Sequence, residues 1–213
     1  MIAILDYKAG NLTSVKRAMN ILNEKACITS DPEVIASAER VIFPGVGAAG
    51  SAMADLRRMG LDEALVRTYE MGKPLLGICL GMQIIMEHSH ENNTRCLGLL
   101  KGEVKPFPGN LQDPDRDGKL KVPHMGWNSI RFLRDHILFE DVDPAGQFYF
   151  VHGYYPVPGD EDCIVAETTY GFPFASVLAL NNLVAVQFHP EKSGRPGLKM
   201  LSNFCHWDGS NHA

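Results

Sequence analysis

The sequence predicts an α/β fold, a single-domain doubly wound, mostly parallel sheet with antiparallel additions over residues 1–213. Three observations carry that expectation. In the first half, short apolar runs alternate with stretches of helical period, which is the pattern of parallel strands joined by crossover helices. From about residue 95, Gly and Pro become frequent and strand-like pieces lie close together, as in an antiparallel or mixed region. A length of 213 residues suits one core of this class.

Taken in order, Ile2 to Leu5 reads as a buried strand. Asn11 to Leu22 reads as a helix with Leu12, Val15, Ala18, Met19 and Leu22 at helical spacing, entered through Gly10 and Asn11 as turn and cap. Val41-Ile42-Phe43 and Leu75-Leu76-Gly77-Ile78 are further strands, each followed by a glycine turn and a helix-like stretch, the second running from Met82 to His88. Phe148 to Val151, Ile164 to Glu167 and Leu183 to Phe188 are later strands, and Gly197 to Phe204 is a closing helix with Leu198, Leu201 and Phe204 on one face. Gln112 to Lys119 is polar and rich in turn formers, so it reads as a surface loop. Neither a repeat nor a low-complexity tract interrupts this order.

A hydrophobic fraction of 45% with 21% charged residues supports a packed core. The net charge of −5 argues against nucleic acid and anionic membrane surfaces as partners, since both are held by clustered Lys and Arg. The N-terminus has no basic leader, and no run approaches the roughly 20 apolar residues that span a bilayer, so a cytoplasmic protein is expected. Cys27, Cys79, Cys96, Cys163 and Cys205 are odd in number and lack paired short spacing, which argues against a disulfide framework and a zinc site.

The chemistry concentrates in Gly77-Ile78-Cys79-Leu80-Gly81, between an apolar strand and a helical pattern. At such a strand-to-helix elbow the central residue is strained and the flanking glycines clear space around its side chain. The helix N-terminus favours a thiolate, and the Leu80 N–H points where an oxyanion forms. Alone, the motif is as readily a small core cysteine between packing glycines. A thiol also needs a base, and Gln187-Phe188-His189-Pro190-Glu191 offers His189 at a strand end, with Glu191 two residues on to hold the imidazole. Alone, that motif is more often a capped turn in which His189 and Glu191 merely pair on the surface. Pro44-Gly45-Val46-Gly47, after another strand, offers a second oxyanion donor or merely a βα turn. Elbow, base, carboxylate and glycine loop all follow apolar strands, and one site explains them together better than four coincidences do.

With these motifs in view, the chain resembles the class I (triad) glutamine amidotransferases, whose fold is flavodoxin-like. The class is carried by Gly77-Ile-Cys-Leu-Gly-Met-Gln83 and Gln187-Phe-His-Pro-Glu191. Within it, the chain is similar to the glutaminase subunits of imidazole glycerol phosphate synthase in histidine biosynthesis. That narrower likeness rests on Asp6-Tyr-Lys-Ala-Gly-Asn-Leu12, Phe43-Pro-Gly-Val-Gly47, Val122-Pro-His-Met-Gly-Trp-Asn128, Phe148-Tyr-Phe-Val-His-Gly-Tyr-Tyr155 and His189-Pro-Glu-Lys-Ser193. Together these motifs cover nearly the whole chain, and Pro-His-Met-Gly-Trp-Asn is the most specific.

The resemblance implies that the Cys79 thiolate attacks the glutamine carboxamide, that His189 protonates the leaving ammonia and then activates water, and that Glu191 orients His189. It implies a thioester intermediate and no cofactor. Val46 or Gly47 with Leu80 then form the oxyanion hole, and Gln83, Glu91, Gly153 and Tyr154 contact glutamine. Asn11, Tyr149 and Lys192 match positions facing a (β/α)₈ cyclase subunit, the heterodimer partner that would turn a formimino carboxamide ribotide into imidazole glycerol phosphate and an aminoimidazole carboxamide ribotide.

Two departures stand out: Gly153 occupies a place where Ser or Thr is expected, and Lys8-Ala9 one where a Gly-containing pair is common. His88 and His90 flank Glu87 and Glu91, but residues two apart diverge on a helix, so no metal is predicted. His124, Trp127 and Tyr154 read as structural or interface aromatics, and the remaining cysteines as inert core thiols. The rivals are a triad glutaminase serving another synthase, such as the pyridoxal phosphate type or a sugar-aminating paralogue, a cysteine peptidase on the same fold, and a non-catalytic scaffold subunit. An intact triad speaks against the last.

Overall fold

The computed structural model describes residues 1–8, 10–112 and 118–210. Ala9 and the core of the expected surface loop, Asp113 to Asp117, lie outside the described residues, whereas the loop's ends meet in a bridge between Gln112 and Lys119. The first half contains β1 (Ile2–Leu5), α1 (Leu12–Ile21), β2 (Ala26–Thr29), α2 (Pro32–Ser37), β3 (Arg40–Gly45), α3 (Ala49–Met59), α4 (Leu61–Glu70), β4 (Leu75–Cys79) and α5 (Leu80–Ile84). The second contains β5 (His88–Ser89), β6 (Thr94–Arg95), β7 (Gly102–Pro106), β8 (His124–Ser129), β9 (Arg131–Phe132), β10 (Gln147–His152), β11 (Tyr154–Pro158), β12 (Ile164–Tyr170), β13 (Phe172–Leu180), β14 (Leu183–Val186) and α6 (Gly194–His206).

The main sheet runs β2-β1-β3-β4-β14-β13-β12-β9. Its first five strands are parallel and its last three pair antiparallel, which is the doubly wound sheet with antiparallel additions that the sequence predicts. Burial follows the pleat. Ile2, Ile4, Ile42, Leu76 and Ile78 enter one apolar cluster with α1 and α6, while Ala3, Leu5, Val41, Phe43 and Leu75 enter the other with α3 and α4. Both faces of the parallel region are therefore covered, and its functional edge is the carboxyl end of the strands. Two smaller sheets, β10-β8 and β11-β7-β5-β6, wall that end.

Two local expectations change. The helix after the elbow ends at Ile84 rather than running to His88. Its last carbonyls are claimed from outside: Leu97 N–H donates to Ile84 O, Leu100 N–H to Ile85 O and Gly98 N–H to Met86 O. The chain then turns, and His88 falls in a strand. Asn11 sits at the N-terminus of α1 but in the left-handed region, φ 76°, and its side chain caps nothing there. No helix among the described residues is long and apolar enough to cross a membrane.

Candidate active site

The elbow is built by close packing. Cys79 has φ 55° and ψ −107°, a strained conformation for a residue with a side chain. A Cβ added at Gly81 would lie 2.1 Å from the Phe43 carbonyl oxygen, and one at Gly77 would lie 3.2 Å from the Gly81 carbonyl and from Ala185 Cβ. The two glycines let β4 turn sharply into α5 between β3 and β14. In register, Gly45 lies beside Cys79, so Val46 and Gly47 continue past the thiol. Gly47 has φ 99°, a region that favours glycine.

His189 and Glu191 follow β14, the strand beside β4. His189 Nδ1 stands 2.8 Å from Glu191 Oε1, with the side chains 1% and 0% exposed. Burial opposes charge on the ring, but Cys79 and Glu191 more than offset it, so His189 is held well above the ordinary histidine range. Nε2 is buried and makes no formed hydrogen bond, although the thiol lies near enough to act on the ring's charge. That suits a base whose contact tightens when substrate arrives. Asn11, expected at a partner interface, turns its amide inward: Nδ2 donates to Glu191 Oε1 and lies 3.5 Å from His189 Nδ1.

A cavity of about 420 Å³ opens on Cys79. Val46, Gly47, Leu80, Gln83, Glu91, Gly153 and Tyr154 line it, so the structure brings together every residue expected to bind glutamine or the oxyanion. Gln83 is 5% exposed and spends its amide donors on Tyr154 O at 3.0 Å and Gln187 Oε1 at 3.1 Å, which leaves its carbonyl to a ligand. Glu91 Oε2 accepts from the Ala49 N–H at 2.7 Å, at the start of α3, fixing an anion on the wall. A hollow of about 770 Å³ around Phe132, His136 and Phe139 is larger but holds no thiol.

Several members of the site were not singled out by sequence. Pro123, Val151 and His152 line the cavity. Gln187 is fully buried and its Nε2 lies 3.7 Å from the Cys79 sulfur; a buried amide ending an apolar strand was the available signal. His152 heads a relay of neutral rings. Tyr154 O can only accept, so His152 Nδ1 donates to it at 2.8 Å, and His152 Nε2 must accept from His124 Nδ1 at 3.0 Å. His124 Nε2 then accepts from Asn128 Nδ2 at 3.3 Å. Burial lowers His152 to about 3 and His124 to about 4. The specific motif Val122 to Asn128 thereby braces the cavity wall at Gly153 and Tyr154.

On the outer face, Met125 and Trp127 are 62% and 54% exposed, Trp127 meets the Tyr149 ring edge-on, and Lys192 Nζ lies 5.9 Å from that ring's centre. Cys96, Cys163 and Cys205 are buried, and burial pushes their thiols up to about 11, 11 and 12, as suits inert groups. Cys27, expected in the core, is only half-buried, on the edge strand β2. His88 and His90 are not on a helix. His88 opens the short strand β5 and His90 follows it in a turn, with ring centres 5.6 Å apart, so the divergence expected of them does not occur.

Comparisons with known proteins give the family and the fold. The model of the family described as Glutamine amidotransferase class-I matches residues 4–207. The chain is 55% identical over 204 residues to the imidazole glycerol phosphate synthase subunit HisH of Maridesulfovibrio salexigens, covering 96% of this chain and 95% of that one. It is 47% identical over 210 residues to the subunit of the same name from Pseudomonas putida, covering 98% of each. In fold it is similar to the structure of PurLQS from Thermotoga maritima, with a TM-score of 0.73, 18% identity and 96% and 97% of the two chains covered.

Proposed function

The chain belongs to the class I glutamine amidotransferases and, within them, to the HisH subunits of imidazole glycerol phosphate synthase, and from that membership we propose how its residues hydrolyse glutamine. The observation that carries the reading is one cavity that opens on a strained, glycine-cleared cysteine beside a fixed carboxylate, with a buried His–Glu pair near enough to the thiol for the two to act on each other's charge. Glutamine enters with its α-ammonium toward Glu91 and its polar groups toward the Gln83 carbonyl and the Gly153–Tyr154 backbone. Gly153 has no side chain to offer, so its contact is made by the backbone.

The Cys79 sulfur, its proton passed to His189, attacks the carboxamide carbon. The oxyanion is held by N–H groups of Leu80 and of Val46 or Gly47. His189 gives its proton to the departing nitrogen, ammonia leaves, and a thioester remains. His189 then takes a proton from water, hydroxide attacks the thioester, and glutamate is released with the thiol restored. Glu191 holds the imidazole through Nδ1 and stabilises its charged form.

The ammonia is taken up by a (β/α)₈ cyclase subunit. Exposed Met125, Trp127 and Lys192 with half-buried Tyr149, whose carbonyl accepts from the His189 N–H, form an outer face beside the triad and support docking there; Asn11 reaches the triad through Glu191. Gly45 and Gly47 lower the cost of rotating a peptide in the oxyanion loop, so docking can switch a donor toward substrate. Such a donor is worth roughly 3 kcal/mol, or about a hundredfold in rate. The test compares glutamine hydrolysis by the free subunit, the complex and the complex with its ribotide. Rising turnover along that series is expected. Equal turnover in all three would reject the switch, and no turnover in any would reject the glutaminase reading.

A further inference from the structure

The β5-β7 pair carries a cluster that the glutaminase reaction does not use. In parallel register His88 faces Glu103 directly, and His90 follows the strand's last residue, Ser89, in a turn where its N–H donates to Val104 O at 2.9 Å. One ligand atom from each of His88, His90 and Glu103 falls within 4.8 Å of the other two. His90 Nε2 is already 2.7 Å from Glu103 Oε2, while His88 Nε2 is held by Asn93 Oδ1 at 2.9 Å. From these positions we propose that His88, His90 and Glu103 form a binding site for a divalent transition-metal ion of the zinc, nickel or copper class.

The donor set selects that class: two imidazoles and one carboxylate suit zinc and its neighbours, while magnesium and calcium want oxygen alone. Metal–ligand bonds of about 2.0–2.2 Å place tetrahedral ligand atoms roughly 3.4 Å apart, so the present 4.8 Å limit closes by side-chain rotation without backbone change. The turn matters here: His90 leaves the strand with φ −65° and ψ −19°, and its ring centre lies 5.6 Å from that of His88. The fourth position is left to water. One group opposes binding. Lys105 Nζ lies 2.7 Å from Glu103 Oε1 and neutralises the carboxylate that the ion would use.

The site is distinct from the triad, so its test begins by removing the competing thiol. Zinc is titrated calorimetrically into the Cys79→Ala protein, and a cobalt spectrum checks for thiolate ligands. One saturable equivalent without thiolate absorption is expected. His88→Ala and His90→Ala should each weaken binding on the order of a hundredfold, since even an outer-sphere partner's loss costs roughly 10- to 100-fold. Glu103→Gln should weaken it, and Lys105→Met should tighten it by freeing the carboxylate. In the wild-type thiol background, His88→Ala and His90→Ala should leave metal-free glutamine hydrolysis unchanged. Absence of saturable binding, binding untouched by both histidine substitutions, or a thiolate band would overturn the proposal. Circular dichroism of each variant separates a lost site from a lost fold.

Discussion

Among the described residues two histidine–glutamate pairs lie at nearly the same separation, His189–Glu191 at 2.8 Å and His90–Glu103 at 2.7 Å, and their surroundings set them apart. The first pair is 1% and 0% exposed, walled by β14, α1 and the elbow; the second is 45% and 39% exposed on a small outer sheet. Contact distance is therefore a poor guide to consequence. In the first pair water is excluded and a thiol adds its influence, so the charge state of one ring becomes a chemical tool. In the second, solvent screens the pair. A third arrangement completes the set: His124 and His152 are as buried as His189 but have no carboxylate, and burial drives them down to about 4 and 3.

The largest expected effect comes from breaking the buried site. Cys79→Ala and His189→Ala should each reduce glutamine turnover by more than about a thousandfold, with near-equal losses, because nucleophile and base act as a unit. Glu191→Gln should lose less, since an amide still occupies the place but no longer stabilises the imidazolium. Steady-state kinetics on folded variants checks this order. A Glu191→Gln loss equal to that of His189→Ala would require a direct chemical role for the carboxylate.

Next in size is the scaffold that presents the thiol. Gly81→Ala puts a methyl 2.1 Å from the Phe43 carbonyl oxygen, a backbone atom in the middle of the sheet. We expect a loss of about 1–3 kcal/mol in urea unfolding and displacement of the elbow. Full stability and full activity in Gly81→Ala would show that the elbow is looser than its packing implies.

How far the sequence carried this structure depends on the range of the signal. Strands β1, β3 and β4 were legible because a sheet buried on both faces needs unbroken apolar runs. The elbow was legible because its glycines and cysteine are adjacent. No element was assigned where β2 and α2 lie, since an edge strand of half-buried residues carries little period. The false extension of α5 to His88 arose because Met82 to Met86 keep helical spacing, whereas the stop comes from residues 97–100 folding back. The cap expected of Asn11 fails for a similar reason, its side chain being taken by Glu191, 180 positions away. Local pattern names the nucleophile and the base; the groups that hold them are chosen by packing.

The buried histidines sharpen the comparison through pH. For His124 and His152 the unfolded value near 6.5 lies above the folded ones, so their contribution is complete above about pH 6.5. It is lost as pH falls toward about 4, by up to roughly 1.4 kcal/mol per pH unit for each ring. His189 tilts the other way: its folded value is raised, so its contribution is present below about 6.5 and fades as pH rises through the folded value. His124→Asn should remove up to one proton from the acid slope, measured by urea unfolding between pH 6.5 and 4. An unchanged slope would mean His124 is already charged in the fold, and the relay of neutral rings would be wrong.

The smallest effect belongs to the exposed pair. Lys105 first, then His90, holds the Glu103 carboxyl down at about 2, against a weak opposing effect of burial. A depressed carboxylate contributes stability above its unfolded value and loses it as pH falls through the folded one, so the sign favours folding at neutral pH. Screening decides the size, because both charged side chains remain in water and are ordered only at the expense of their own freedom. Lys105→Met should therefore return the Glu103 carboxyl toward the ordinary range in a carbon-detected NMR titration while leaving the unfolding midpoint unchanged within error. Added salt should move the wild-type carboxyl the same way. If Lys105→Met instead lowered the midpoint as far as Glu191→Gln does, solvent would not be what separates the two pairs. The small sheet would then have to bury Glu103 more deeply than its 39% exposure allows.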